Sequence, residues 1–282
     1  MHMAVAAMGP GLRERLVGLC DAMEARLHGL RDSKRRVVDD VHEIRKLGKA
    51  LRGGLALVGM DRPSLRAVAA IGRLLAGPRD AVSCLKTWRH LGWDDAQSEV
   101  EIPAVRAVTA MLEKLAHSAG RRPPQEAVAW AVARIDEVRA ALAGQTEAGL
   151  LEKLPHGVRR LRRRMDKRLG KLGMRRRDAP AFHQARKAVK AWLGAQALLG
   201  EPADDTCVQL AALLGDENDL SALEDWLNAR GFSKAVTPLM WRRLGELHHT
   251  LRADGVAARD AATRGLQHGK FQQNFGLAAK LC

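Results

Sequence analysis

The sequence predicts an all-α protein of about ten to twelve helices, duplicated internally. Three observations predict it. Apolar residues recur at helical spacing in nearly every segment, and no useful length alternates with period two. Helix formers (Ala, Leu, Arg, Glu) dominate, with no Tyr and little Ile or Thr. The chain also repeats itself, at a period too long for a solenoid and suited to two lobes.

Taken in order, Met1 to Pro10 is apolar but too short to read as a signal peptide, and no basic stretch precedes it. Residues 41–52 read Val-His-Glu-Ile-Arg-Lys-Leu-Gly-Lys-Ala-Leu-Arg and predict an amphipathic helix. Pro63 after Asp61-Arg62 fits a helix start. Gly77-Pro78, Gly92, Gly120 to Pro124, Gly144, Gly173, Gly200 to Pro202, Gly215, Gly231 and Gly255 read as connections. Short loops between them imply antiparallel neighbours and bundle packing. Residues 182–193 read Phe-His-Gln-Ala-Arg-Lys-Ala-Val-Lys-Ala-Trp-Leu and echo 41–52. Each copy is expected to lead into a short helix and then a Gly-containing turn ending in Asp: Ala76 to Asp80 in the first, Leu214 to Asp219 in the second. The interval from His42 to Asp80 is 38 residues and from His183 to Asp219 is 36, which favours duplication over coincidence. A boundary near Gly144 to Gly149 gives an N-terminal lobe, 1–145, and a C-terminal lobe, 146–282. The tail from Gly265, with Phe271 and Phe275, carries no sign of chemistry.

The charge is distributed to a purpose. Lys plus Arg is 47 against 32 acidic residues, a net charge of +15 with a pI near 10.4. Such self-repulsion opposes compactness and favours acidic partners: nucleic acid, polyphosphate or an anionic surface. At 100° per residue, His42, Arg45, Lys46, Lys49 and Arg52 share an arc of roughly 120°. Val37, Ile44, Leu47, Leu51, Leu55 and Val58 gather opposite. His183, Arg186, Lys187 and Lys190 line one side of the second copy, with Ala185, Ala188, Trp192 and Leu199 on the other. A solvated helix face mixes signs, because Glu–Lys pairs at i,i+4 contribute about 0.2–0.5 kcal/mol and like pairs oppose the helix by as much. These stripes instead stack Arg45 with Lys49 and Arg186 with Lys190, which makes sense if an anion neutralises the row. A histidine heads each stripe, as a donor to an anion or an orienter of the arginine. Between Leu154 and Lys190 fourteen Lys and Arg stand against Asp166 and Asp178. There, Arg160, Arg163 and Lys167 at i, i+3, i+7 are the expected inward row, while Arg159, Arg162, Arg164, Arg168 and Lys171 cover the rest of the circumference. Lys34-Arg35-Arg36 is a weaker basic cluster, diluted by Asp32, Asp39 and Asp40.

In this combination the sequence resembles the CHAD family, the conserved-histidine α-helical domain. The residues that carry the likeness are Val41-His42-x-x-Arg45 with Lys49 and Arg52, Gly77-Pro78-Arg79-Asp80, His183-x-x-Arg186-Lys187-x-x-Lys190, and Leu214-Gly215 through Asn218-Asp219. It spans about residues 10 to 260. The resemblance implies two helical-bundle lobes related by a pseudo-twofold, around a basic central groove that binds inorganic polyphosphate, with Arg79 joining the stripes. The sequence departs from the family at Ala50, where a second basic residue is usual, at Lys46, where a small apolar one is usual, and at Ala191, Leu193 and Gly194, which shorten the second stripe. The extra charge at 159–171 compensates in this reading.

Other readings fare less well. A single-strand nucleic-acid binder wants aromatic platforms among its cations. Aromatic content here is 4%, and Trp88, Trp130 and Trp192 sit at apolar helical positions and read as core. Nucleic acid is therefore a secondary partner. An enzyme of phosphoryl chemistry wants clustered carboxylates on a metal. Glu99-x-Glu101 runs into Pro103 with no second acidic element, and no glycine-rich phosphate loop occurs. No catalysis, cofactor or metal is expected. His248-His249 lacks a completing ligand set and reads as surface or core. Asp80 and Asp219 fit either pairing with stripe arginines or helix capping. Cys20, Cys84, Cys207 and Cys282 form no CxxC pair and read as reduced thiols. No apolar run approaches membrane-spanning length. A soluble, cytoplasmic protein without membrane insertion is expected, associated with polyphosphate granules in one reading.

Overall fold

Period-3.6 patterning resolves into ten helices among the described residues of a computed structural model, which are 11–31, 37–93, 102–174 and 178–267. In order they are α1 (Leu12–Gly29), α2 (Val37–Leu57), α3 (Arg62–Leu74), α4 (Ala76–His90), α5 (Ile102–Ala119), α6 (Gln125–Ala143), α7 (Glu147–Met174), α8 (Ala179–Leu199), α9 (Asp205–Asn228) and α10 (Pro238–Gln267). No strand occurs among these residues, so the all-α class stands. The Lys34-Arg35-Arg36 cluster, Glu99 and Glu101, Cys282 and the tail phenylalanines lie outside the described residues.

The helix ends follow local chemistry. Asp61 accepts a hydrogen bond from Ser64 N (2.9 Å) with Pro63 in the first turn, so α3 starts where the sequence predicts. Asp204 caps α9 through Cys207 N (3.0 Å). Gly200 closes α8 at φ +74°, a left-handed conformation that glycine adopts without strain. Distant residues complete other ends. Glu147, opening α7, accepts from Leu12 N (2.6 Å) and Arg13 N (2.9 Å) at the start of α1. Arg15 donates to Leu198 O (3.0 Å) in the last turn of α8.

Two apolar clusters hold the helices together. The larger draws on α1, α2, α3, α6, α7, α8, the first half of α9 and part of α10, with Ile44, Leu51, Ile135, Met165, Phe182 and Trp192 inside. The smaller joins α4 and α5 to the second half of α9 and the start of α10 through Trp88, Val108, Leu112, Leu223 and Met240. Each full burial of such a side chain contributes about 1.5–3 kcal/mol. Both clusters take residues from before and after position 145.

Helix α2 packs against α1, α3, α7 and α8. Its contacts with α7 and α8 are close because small residues meet there. A Cβ added at Gly53 would lie 3.5 Å from Ala191 O, and one at Gly194 would lie 3.7 Å from Ala50 Cα. A Cβ at Gly157 would lie only 1.6 Å from Leu57 O, so α7 and α2 touch backbone to backbone. Ala50, Ala191 and Gly194 are thus small residues at the seam where the two stripe-bearing helices approach.

Four expectations need correction. Gly215 and Gly255 are not connections but lie inside α9 and α10. Gly255 is buried where a Cβ would meet Phe182 Cε1 at 3.2 Å, so close packing and not a turn demands glycine there. The 214–219 turn is absent: α9 runs unbroken from Asp205 to Asn228, with no short helix before it. Gly77 belongs to the first turn of α4, and Gly173 to the last turn of α7. Trp130 is 41% exposed on α6, with the Arg134 guanidinium 5.6 Å from its ring centroid, because the buried face of α6 is carried by Val128, Ala131, Ile135, Val138 and Leu142.

Candidate anion-binding site

On α2 the apolar residues Val41, Ile44, Leu51 and Leu55 bury one side and leave His42, Arg45, Lys46, Lys49 and Arg52 on the other. The five differ in what they face. Lys46 is 70% exposed, with Nζ 3.5 Å from Glu43 Oε2 on its own helix, a solvated i,i+3 pair. Arg45 is half-buried and donates from Nη1 to Gly72 O (2.7 Å), satisfying one of the carbonyls that the end of α3 leaves without a helical partner. His42 and Lys49 are exposed along the same row. Arg52 marks the centre of the site. Crowding by protein, then the charges of Arg164 on α7 and Arg73 on α3, pull its pKa below the ordinary guanidinium value. It is nevertheless exposed to solvent.

The second stripe meets the first there. Lys187 on α8 is also exposed, and its pKa is lowered by desolvation first, then by Arg52, Arg164 and Arg186. Arg52, Arg73, Arg164, Arg186 and Lys187 therefore form one like-charged cluster drawn from α2, α3, α7 and α8. Arg186 and Lys190 are half-buried. Arg186 Nε passes 4.0 Å from where a Cβ on Gly215 would sit, an ordinary contact between α8 and α9.

On α7 the buried row is Leu150, Leu154, Gly157, Leu161, Met165, Leu169 and Leu172. At 100° per residue, Arg160, Arg164, Lys167 and Lys171 flank that row on one side, and Arg163 points away from it. Arg160 donates through Nη2 to Ala56 O in the last turn of α2. Arg162 pairs with Asp166 (3.0 Å) on the other flank. Of the expected trio, Arg160 and Lys167 share the flank that carries the cluster, and Arg163 does not. Arg164 does, and its place beside Leu161 on the helical wheel was the available signal. Arg73 left none, because only the packing of α3 beside α2 brings it in. Arg79 is a position of α4 whose side chain lies outside what the structure describes.

His183 heads the second stripe, half-buried, with Nδ1 2.5 Å from Asn218 Oδ1 on α9. Asn218 Nδ2 in turn donates to Asp219 Oδ1 (3.3 Å), and Ser83 Oγ on α4 donates to Asp219 Oδ2 (3.3 Å). Asp219 lies in mid-helix and so caps nothing. It holds a chain of contacts that ties α4, α9 and α8 together. Asp80, near the start of α4, is exposed.

A separate polar cluster lies between α9 and α10. Glu217 is 1% exposed and accepts from Arg252 Nε (2.9 Å), with Arg252 Nη2 also at 2.9 Å. His248 is buried, with Nε2 2.9 Å from Glu224 Oε2, and borders a cavity of about 620 Å³ together with His249 and Arg252. Among the described residues no group of three or more His, Cys, Asp or Glu is arranged to hold a metal ion. No helix among them is long and apolar enough to cross a membrane.

The fold and cluster define an all-α protein whose cations converge from four helices onto one site. The chain belongs to the CHAD family: the CHAD domain model matches residues 18–228, from α1 to the end of α9, leaving α10 outside the match. Among solved structures it is similar to PptA from Streptomyces chartreusis, with 16% identity, a TM-score of 0.58 and coverage of 92% of this chain and 100% of that one. It is also similar to the CHAD domain from the plant Ricinus communis, with 17% identity, a TM-score of 0.54 and coverage of 93% and 96%. At these identities the likeness is one of fold. No curated protein matches the chain.

Proposed function

We propose that this protein is a non-catalytic binder of inorganic polyphosphate, held at the cluster where α2, α3, α7 and α8 meet. The observation that carries the reading is the convergence of Arg52, Arg73, Arg164, Arg186 and Lys187, where desolvation first and neighbouring cations second lower the pKa of Arg52 and Lys187. Like charges held close together repel, and an extended anion is what turns that repulsion into attraction. Polyphosphate carries about one negative charge per phosphate and no bases. It asks for guanidinium forks and ammonium charges on rigid supports and little else. The family supports the same ligand. The protein is further proposed to act in the cytoplasm, where polyphosphate granules would recruit it.

Binding is expected to be steeply salt-dependent. Five cations on a flexible polyanion, at about 0.7 counterions released per contact, weaken binding about a hundredfold between about 50 and 200 mM salt. Replacing Arg52, Arg164 and Lys187 together by Gln is expected to reduce the log–log salt slope by about 2. An unchanged slope in a folded variant would remove these residues from the site. Preferential retention of mixed-sequence DNA over polyphosphate in a competition would instead favour the nucleic-acid reading. Phosphate release in the presence of magnesium would contradict a purely binding role.

A further inference from the structure

We propose that anion binding at this site takes up a proton on His183, because Asn218 and Asp219 hold the imidazole in the tautomer that cannot donate from Nε2. The inference rests on the polyphosphate reading above. Three contacts build it. Asp219 is a carboxylate and only accepts. One of its oxygens accepts from Ser83 Oγ, and the other faces Asn218 Nδ2 at 3.3 Å. The amide nitrogen is the donor, so this contact decides which way round the Asn218 side chain lies and turns its Oδ1 toward His183. Oδ1 only accepts, and it is 2.5 Å from His183 Nδ1, so Nδ1 carries the hydrogen. A neutral imidazole with its proton on Nδ1 has a bare lone pair on Nε2. A phosphate oxygen brought to that edge offers a second lone pair. Contact becomes favourable only when Nε2 is protonated too, and the ring is then an imidazolium donating from both nitrogens.

The charged groups around the ring give the proton a reason to arrive with the ligand. Arg186 and Lys187 lie one turn along on α8, and α2 and α7 bring Arg52 and Arg164 to Lys187. On α10, Arg252 lies 5.6 Å from the ring centroid of the neighbouring Phe182, but its charge is already met by the buried Glu217 on α9 at 2.9 Å. On the acidic side are Asp219, reached through Asn218, and Asp80 on α4, which shares with Asp219 the surroundings of Cys84. A bound polyanion neutralises the cations and adds negative charge beside the ring, which favours the imidazolium. Asn218 and Asp219 touch no ligand in this scheme. They are positioning residues that make affinity depend on pH.

The test is calorimetric titration of the full chain with long-chain inorganic polyphosphate at about pH 8, above the ordinary imidazole range and below that of lysine. Buffers of different ionisation enthalpy give the number of protons taken up. Wild type is expected to take up more protons than His183→Gln, by up to one per site, and uptake by other groups such as Lys187 cancels in that difference. Asn218→Leu frees the ring to carry its hydrogen on Nε2, so uptake is expected to fall toward the His183→Gln value while binding persists. Wild-type affinity is expected to drop by up to about tenfold per pH unit where uptake is complete, and the variants' affinity to drop less. A merely structural role for the triad would leave the proton count unchanged. If Asn218→Leu does not fold, His183→Gln, which still offers a donor to Asn218, carries the comparison. Equal uptake by wild type and His183→Gln with binding intact overturns the inference and leaves the polyphosphate reading standing. Failure of wild type to bind polyphosphate overturns both.

Discussion

At alkaline pH Lys187 and the three buried thiols push stability in opposite directions. Cys20, Cys84 and Cys207 are free and buried, and burial pushes their pKa values up to about 12, about 11 and about 12. Below about pH 9 neither the folded nor the unfolded chain ionises them. Above it the unfolded chain gains thiolates that the folded chain withholds, so stability is lost from about pH 9 up to the folded values of about 11 to 12, by up to about 1.4 kcal/mol per pH unit for each thiol. Lys187, lowered by desolvation and its cationic neighbours, contributes the other way: once the folded lysine has lost its proton, stability rises with pH up to its unfolded value. Three buried thiols outweigh one exposed lysine. Denaturant unfolding is therefore expected to show stability falling from about pH 9 to pH 11, and a Cys20→Ala, Cys84→Ala, Cys207→Ala variant is expected to show a flatter profile. An unaltered profile would mean that the thiols are not what the alkaline limit reports. At this scale the sequence was legible where chemistry repeats along one helix. The stripes at 42–52 and 183–190 are read directly from spacing. Arg73 and the Asn218 contact are not, because each depends on which helix lies beside which, and no local periodicity records that.

Helices show the same division more sharply through glycine. The all-α class follows from apolar spacing, and the start of α3 from Asp61 with Pro63. Gly215 and Gly255 carry the same letter as a turn glycine but lie inside long helices, Gly255 at a tight contact with Phe182, and single-sequence reading cannot separate the two uses. Gly157 is the extreme case. A Cβ there would sit 1.6 Å from the carbonyl oxygen of Leu57, and backbone cannot yield as a side-chain tip can. Gly157→Ala is expected to drive α7 and α2 apart and destabilise the protein by about 2–3 kcal/mol, the upper range for overpacking. Gly18→Ala on α1 is the matched control. Nothing lies within 4 Å of the added Cβ, so only the helix propensity remains, and that favours alanine by about 1 kcal/mol. Thermal denaturation of the two variants should shift in opposite directions. A mild effect at Gly157 would contradict the close backbone contact that seats α7, and with it Arg164, beside α2.

Over the whole molecule, a net charge of +15 has to coexist with two apolar cores. Neither core keeps to one half of the sequence: α4 and α5 are closed by α9 and α10, and α1 to α3 pack with α6 to α8. That pairing of distant helices left no mark in the sequence, which suggested halves of similar size from the matching stripes alone. It also means that strain at the cationic cluster is borne by the larger core as a unit, since α2, α3, α7 and α8 all belong to it. A ligand that neutralises the cluster should then stabilise the protein as a whole and not one helix. At a free ligand concentration of one hundred times Kd, linkage adds about 2.7 kcal/mol to unfolding. For a chain of this size that corresponds to a rise in Tm of roughly 5 °C. Polyphosphate is expected to produce this rise at low salt, with the cores of both clusters melting in one transition. The rise should shrink toward zero as salt screens the contacts, and orthophosphate at equal total phosphate should give little of it, because a single phosphate cannot span cations on four helices. A comparable shift with orthophosphate would point to a local anion pocket in place of a site for a chain.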